Sequence, residues 1–434
     1  MTSYFKKVLE WKLKILAGIV VRKYHPKIVG VTGSVGKTST KDAIATVLRA
    51  GFRVRKNMKN YNNEIGVPLA ILGEESGGKN LFIWLGVFFR ALRLICFRDA
   101  NYPEVLVLEM GADKTGDIEY LTSFAPCTVG VVTAVSEVHL EYFKTLDRVI
   151  TEKRKMVSQL FKEGFAVLNA DDPSVLAMRE KTRATVITYG FAETADVRSL
   201  EATVSEGPIN PDQAPTGVSG ISYKMSYRGS TVPVFLPSVL GSHQVLAGLA
   251  AAAVGISFGL NLHEIAGALK NFVSPPGRMN LLPGIKYTRI IDDSYNSSPR
   301  AAKAALDTLK ALDVRGRRIA ALGEMAELGD ATVREHEDVG RYAAKSGLDL
   351  LVVVGEKAKI IAQAAVEAGF AESNISMFPN AEEAGRYIQR ELKEGDVVLV
   401  KGSQVARMEK ITKELMAEPL RASELLVRQG LEWR

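Results

Sequence analysis

An apolar run, Ile28-Val29-Gly30-Val31, leads almost directly into Gly33-Ser34-Val35-Gly36-Lys37-Thr38-Ser39-Thr40, and a helical pattern follows from Lys41 to Leu48. Few folds accommodate that order. A buried strand, a glycine-rich turn and a helix make a phosphate cradle. Backbone N–H groups and the positive end of the helix face an anion, a lysine reaches its outer oxygens, and a hydroxyl holds a divalent cation. The longer nucleotide-loop pattern asks for glycine where Val31 stands, so the match is to the shorter Gly-x-x-Gly-Lys-Thr form. The pattern predicts nucleoside-triphosphate binding through Gly33, Ser34, Val35, Gly36, Lys37, Thr38 and Ser39, with Lys37 on the outer phosphates and Thr38 on magnesium.

The 434 residues exceed one ordinary core, so two or three domains are expected. After the loop, buried-strand runs at Glu104 to Met110, Thr128 to Thr133 and Phe165 to Leu168 alternate with helical patterns, including Asp117 to Phe124 and Leu146 to Phe161. That rhythm predicts an α/β fold with a mainly parallel sheet covered on both faces. From about 185 to 240 the texture becomes β-rich and broken, which predicts antiparallel edge strands, with Glu206 to Gly220 as an exposed loop. A second series of strands, Arg289 to Asp292, Arg318 to Leu322, Leu350 to Val354 and Val397 to Val400, predicts a doubly wound, Rossmann-like domain. It carries no dinucleotide fingerprint, so NAD is not expected. The predicted organisation is a basic helix over 1–26, a central P-loop ATPase-like domain over 27–283 and a C-terminal domain over 284–434.

The net charge of +7 is concentrated in two places. Residues 1–27 hold seven Lys/Arg against one Glu, and residues 79–98 hold four with no acid. Nucleic-acid binders spread basic residues over a folded face, so no nucleic-acid partner is expected. In residues 4–23, Phe5, Leu9, Leu13, Leu16 and Val20 form a helical stripe with the charges largely off it. Such a helix either packs on its own protein or lies on an anionic bilayer. Residues 81–97 carry Phe82, Trp84, Leu85, Phe88, Phe89, Leu92 and Phe97 around Arg90 and Arg93, a pattern of a buried helix or of a membrane- or partner-facing insertion. The two cysteines, Cys96 and Cys127, suggest no disulfide framework or Cys-based metal site, which fits a reducing cytoplasm.

Polar residues gather where open α/β sheets place ligands. Glu109 ends a strand and is a candidate magnesium ligand opposite the loop. His139 follows the next strand, and Lys153 sits in a charge run that usually marks a solvated face. Asn62, Asn63 and Glu64 belong to an amide-rich stretch suited to a polar substrate, or to a plain turn. Further on, Arg278, then Asp293, Tyr295 and Asn296, and finally Lys401 and Ser403 offer phosphate, ribose or base, and cationic contacts.

Together these segments resemble the Mur ligases, ATP-dependent amide-forming enzymes of peptidoglycan precursor synthesis. The motifs are Thr32 to Thr38, Asn62 to Pro68, Leu108 to Ala112, His139-Leu140-Glu141, Asn169 to Asp172, Gly277-Arg278-Met279, Asp293 to Asn296, Leu322 to Gly329 and Lys401-Gly402-Ser403. The resemblance implies ATP and Mg²⁺ as cofactors, with a UDP-muramoyl-peptide and D-Ala-D-Ala as substrates joined through an acyl phosphate. A related acceptor, lipid-linked or poly-amino-acid, is the other enzymatic reading. A non-enzymatic scaffold is disfavoured by the retention of Lys37, Glu109, His139, Lys153 and Arg278.

As implied roles, Lys37, His139, Lys153 and Arg278 are catalytic. Thr38 and Glu109 bind one metal, while His139 and a carbamylated Lys153 serve a second. Arg278, Asp293, Tyr295 and Asn296 meet the nucleotide, and Glu327, Lys401 and Ser403 face the amine substrate. A cytoplasmic monomer, in contact with the inner membrane face if the two basic helices touch it, is expected. Two departures stand out: the family's domain before the loop is represented here by the basic helix, and Ala247 stands where the family has an adenine-contacting asparagine.

Overall fold

The computed structural model describes residues 3–58, 61–78, 80–136, 143, 145–207, 217–430 and 433. The chain divides into two compact units. The first comprises 1–202, 223–235 and 243–272, and the second comprises 203–222, 236–242 and 273–434.

The first unit begins with helix α1, Ser3–Tyr24, followed by β1, Lys27–Thr32, and α2, Lys37–Leu48. Then come β2 (Val54–Lys56), α3 (Gly66–Leu72), α4 (Leu81–Cys96), β3 (Val105–Glu109), α5 (Asp117–Thr122), β4 (Val129–Val132) and α6 (Leu146–Ser158). Strands β5 (Phe165–Asn169) and β6 (Thr185–Gly190) follow, and then β7 (Val197–Gly207), β8 (Gly217–Tyr227) and β9 (Ser230–Pro237), parts of which are counted with the second unit, and helix α7 (Ser242–Ser257). The sheet runs β2-β3-β1-β4-β5-β6-β7-β8-β9. It is parallel from β2 through β6, as the buried apolar runs require, since each strand is covered on both faces. The core contains Leu106, Leu108, Val132, Met156 and Leu168, against which Leu13 and Val20 of α1 pack.

Two expectations are corrected here. The stretch from 185 does not start an antiparallel edge, because β6 continues the parallel run beside β5. Nor is Glu206 to Gly220 simply a loop: β7 and β8 extend into both of its ends, and 208–216 lie outside the described residues. The signal was alternation, with Ile221, Tyr223 and Met225 all buried on one side of β8. Arg228 and Gly229, with φ of 46° and 82°, link β8 to β9 in the two-residue turn that closes a hairpin.

The second unit holds a six-stranded sheet in the order β10-β11-β15-β12-β13-β14. Strands β11 (Arg289–Asp293), β12 (Arg318–Gly323), β13 (Leu350–Val354) and β15 (Val397–Lys401) match the predicted series. The short edge strands β10 (Asn280–Pro283) and β14 (Ile375–Phe378) carry too little apolar alternation to be read in advance. All pairs are parallel except β10 with β11. Helices α8 (Pro299–Ala311) and α9 (Thr332–Ala344) lie among its connections, and a separate core forms around Ile290, Ile319, Val352 and Val398.

Candidate active site

In the first unit the glycine turn between β1 and α2 is folded tightly against the end of β4. Gly33 has φ of 149°, and a Cβ there would lie 1.9 Å from Thr133 Oγ1, so only glycine fits. Thr133 Oγ1 donates to the Val35 carbonyl at 2.6 Å, the Ser34 amide donates to the Ala134 carbonyl at 2.7 Å, and the Ser136 amide donates to Ser34 Oγ at 3.0 Å. Gly36, at φ of 83°, caps α2. The helix begins at Lys37 rather than Lys41, which puts Thr38, Ser39 and Thr40 in its first turn, the positive end of its dipole. Lys37 Nζ donates to the Gly33 and Ser34 carbonyls at 2.8 and 3.2 Å and so lies over the turn.

Glu109 ends β3 beside β1, paired in register with Val31. It is buried and held by Asn62, named in the sequence reading, and by Asn57 and Lys41, which the sequence did not single out. Asn57 clamps its backbone, accepting from its amide at 2.9 Å and donating to its carbonyl at 3.0 Å. Asn62 Nδ2 donates to Glu109 Oε1 at 3.1 Å, while Oε2 accepts no hydrogen bond and has Lys41 Nζ at 3.7 Å. Lys41 is itself 2% exposed. Its place one helical turn after Lys37 was the available clue, since residues four apart share a helix face. Asn63 Oδ1 accepts from the Ile65 and Gly66 amides at the start of α3, and Glu64 pairs with Lys114 at 3.5 Å.

Lys153 does not lie on a solvated face. It is 3% exposed, and its ammonium is pushed down to about 7, first by burial and then by the positive charge of Lys37, with Glu152 and Asp113 opposing. Its neighbour Lys155 is half-buried and paired with Glu119 and Glu152 at 3.1 and 3.2 Å. Glu152 in turn accepts from the Gly116 and Ile118 amides, both at 2.9 Å. His139 lies outside the described residues, and among the described residues no group of three or more His, Cys, Asp or Glu is arranged to hold a metal ion. Ala247 is buried within α7.

In the second unit, Lys401, 2% exposed, donates to Asp293 Oδ2 at 2.5 Å and to the Asn296 carbonyl at 3.0 Å. Asp293 Oδ1 also accepts from the Met279 amide at 3.2 Å. Arg278 stacks over the Tyr295 ring at 4.1 Å, and the Tyr295 amide donates to the Gly277 carbonyl at 3.1 Å. Gly277, with φ of 70°, could not take a side chain, since its Cβ would meet the Tyr295 nitrogen at 2.8 Å. The structure therefore brings Arg278, Asp293, Tyr295, Asn296 and Lys401 into one cluster. Arg428, unread in the sequence, supports it by donating to the Ser294 carbonyl and Glu409 at 3.1 and 3.0 Å. Ser403 is fully buried, and its amide donates to the Glu324 carbonyl at 3.0 Å. Glu327 is exposed, at φ of 63°, in the turn after β12. That turn is held by His336, another residue sequence reasoning missed: its Nε2 accepts from the Met325 amide at 3.0 Å and its Nδ1 bonds the Thr332 carbonyl at 2.7 Å. Burial also pushes the Asp292 carboxyl up to about 6.

A phosphate turn opening a helix beside a strand-end carboxylate defines a nucleoside-triphosphate-using α/β enzyme. Residues 31–84 and 91–255 match the Mur ligase middle domain, the gap falling inside α4, and residues 277–404 match the Mur ligase glutamate ligase domain. The chain belongs to the Mur ligase family and is an ATP-dependent ligase. It is 27% identical over 408 residues to the UDP-N-acetylmuramoyl-tripeptide–D-alanyl-D-alanine ligase of Bacillus subtilis, covering 94% of this chain and 80% of that one. With the Mycobacterium tuberculosis (strain H37Rv) ligase of the same name it shares 31% over 411 residues, covering 90% and 73%. Among solved structures it resembles MurF ligase from Thermotoga maritima in complex with ADP, with a TM-score of 0.73 and 26% identity over 93% of this chain and 83% of that one. A crystal structure of MurF from Acinetobacter baumannii matches with a TM-score of 0.76 at 24% identity, over 93% and 79%.

Proposed function

We propose that this ligase joins D-alanyl-D-alanine to the tripeptide carboxylate of UDP-N-acetylmuramoyl-tripeptide, with ATP converted to ADP and phosphate. The observation that carries the reading is that relatives named for this reaction align with nine-tenths or more of the chain, while the middle-domain match takes in the phosphate turn. In the proposed sequence a carboxylate oxygen of the acceptor attacks the γ-phosphorus and ADP leaves. The dipeptide's free amine then attacks the carbonyl carbon of the acyl phosphate, gives up a proton and expels phosphate. Such steps need positioning and charge neutralisation rather than a protein nucleophile.

The turn amides and Lys37 are assigned to the phosphates, the lysine exchanging its bonds to the Gly33 and Ser34 carbonyls for phosphate oxygens. The chemistry present fits magnesium: Glu109 Oε2 is a buried carboxylate oxygen with no hydrogen bond. Thr38 and Glu109 would hold the ion, and His139 is assigned to a second one. When bound, these ions neutralise charge on the transferring phosphoryl group. Lys153, depressed to about 7, is partly free amine at neutral pH. Free amine is the form that adds carbon dioxide: a nitrogen–carbon bond forms, a proton leaves, and the resulting carbamate is an anion facing Lys37. Arg278, Asp293, Tyr295 and Asn296 are assigned to the nucleotide. Asn62, Asn63, Glu64, Glu327, Lys401 and Ser403 are assigned to the peptide substrates, with Lys401 and Ser403 acting through the turns they hold. ATP and a UDP-linked precursor are cytoplasmic solutes, so the chain is assigned to that compartment as a monomer.

The test is phosphate release from ATP with UDP-N-acetylmuramoyl-tripeptide and D-alanyl-D-alanine together. Release that requires both is expected. Release only with a lipid-linked or poly-amino-acid acceptor would replace the substrate assignment while keeping the ligase. Stripping carbon dioxide from the buffer is expected to lower turnover, and added bicarbonate to restore it; indifference to both sinks the carbamate assignment.

A further inference from the structure

Helix α4 is apolar on two opposite faces, with Arg90 and Arg93 as its charges. Trp84, Val87, Ala91 and Leu94 face inward and are buried. On the opposite face Phe82 is 82% exposed and Phe89 71%, with Leu81, Leu85 and Leu92 beside them, and Arg93 is the charge that shares this face. At the helical repeat these residues form one continuous stripe. A helix with two apolar faces belongs inside something, and here one face has no cover among the described residues. It also lies where the family match is interrupted.

The neighbouring helix extends the stripe. Lys12 Nζ lies over the Phe88 ring at 5.9 Å, tying the exposed side of α1, with Trp11 and Ile15, to the edge of α4. The pair is fastened at one end, where Lys23 Nζ donates to the Leu94, Ile95 and Phe97 carbonyls, each at 2.9 Å, and neutralises the negative end of the α4 dipole. Tyr24 OH shares its one proton between the Leu94 and Phe97 carbonyls and accepts from the Asp99 amide. The apolar stripe is therefore presented by a fixed two-helix element.

Charge decides among occupants. α4 has no acidic residue, and α1 sets Lys6, Lys7, Lys12, Lys14, Arg22 and Lys23 against Glu10 alone. Protein interfaces deplete lysine, whereas a bilayer takes apolar side chains among its acyl chains and lysines and arginines at its headgroups. Among the described residues no helix is long and apolar enough to cross a membrane, so contact would be from one side. We propose that α1 and α4 dock this ligase on the surface of an anionic lipid bilayer, Phe82, Leu85, Phe89 and Trp11 entering the acyl boundary and the exposed Lys6, Lys7, Lys12 and Arg22 of α1 meeting the headgroups.

Flotation of the full-length chain with vesicles tests this. The chain is expected to float with vesicles of phosphatidylcholine and phosphatidylglycerol, to remain behind with phosphatidylcholine alone, and to be released by high salt. The double variant Phe82→Ser/Phe89→Ser is expected to lose at least about tenfold in vesicle affinity, while its melting transition and its phosphate release in solution match the parent. Absence of flotation with either vesicle would overturn the proposal, as would equal flotation with both. A dimer that Phe89→Glu dissociates, with no vesicle binding by the parent, would assign the face to a second copy instead.

Discussion

Lys153 and Lys401 are both almost completely buried, one in each unit, and their surroundings treat them in opposite ways. Lys401 is met by the Asp293 carboxylate and the Asn296 carbonyl, so its charge is matched where it sits. Lys153 shares its surroundings with the positive charge of Lys37, and Glu152 and Asp113 offset burial only in part. The second unit thus uses a lysine as a fixed cationic strut between β15 and the turn after β11. The first keeps one as a weakened base whose neutral form is chemically available. Burial is common to both and is the first cause of the Lys153 shift; what differs is whether the surrounding charges answer it, as Asp293 does for Lys401, or add to it, as Lys37 does for Lys153.

The contrast can be broken most forcefully at Lys401. Lys401→Met strands the Asp293 carboxylate and is expected to cost about 3–5 kcal/mol in urea unfolding, with the double variant Lys401→Met/Asp293→Asn recovering part of it. Next in size, Lys37→Ala is expected to lower kcat by about 10²–10³-fold in the phosphate-release assay. The same substitution removes the like charge beside Lys153 and returns its ammonium toward the ordinary lysine range. Unchanged turnover would contradict any role of the turn in phosphate transfer. His336→Leu leaves the Met325 amide without its acceptor and is expected to cost about 1–3 kcal/mol, read by denaturant midpoint.

The finest test is of pH. The Lys153 ammonium is lower in the folded chain, about 7, than the 10.5 of an unfolded lysine. Between these values the unfolded state binds the extra proton, so stability rises with pH across that window, by at most about 1.4 kcal/mol per pH unit from this group. In carbon-dioxide-free buffer Lys153→Met should flatten that rise, as a series of urea titrations would show. An identical slope in parent and variant would remove Lys153 from the account.

The parts of this molecule legible from sequence were those with a local signature. The parallel strands announced themselves as apolar runs, and the phosphate turn as a fixed spacing of glycine, lysine and threonine. Glu109 could be read because it ends such a run. Lys41 and Asn57 were not read, since each acts on Glu109, more than fifty residues on, and the spacing of Lys41 from Lys37 was only a faint clue; His336, whose partners are local, looks like an ordinary helix residue. Lys153 was placed by resemblance while its charge-rich neighbourhood argued for solvent; helix geometry turns it inward and Lys155 outward. The edge strands β10 and β14 escaped because strands of four residues present too few positions for alternation to register.

The bonds from Lys23 to the last carbonyls of α4 have a consequence for how this chain tolerates change. The attachment uses backbone oxygens, which every sequence possesses, so the outward positions from Leu81 to Leu92 owe nothing to the anchoring of the helix. That face is a replaceable cassette: a combinatorial library there would resample what the ligase sticks to while its folding and its chemistry stayed constant, and natural drift has the same freedom.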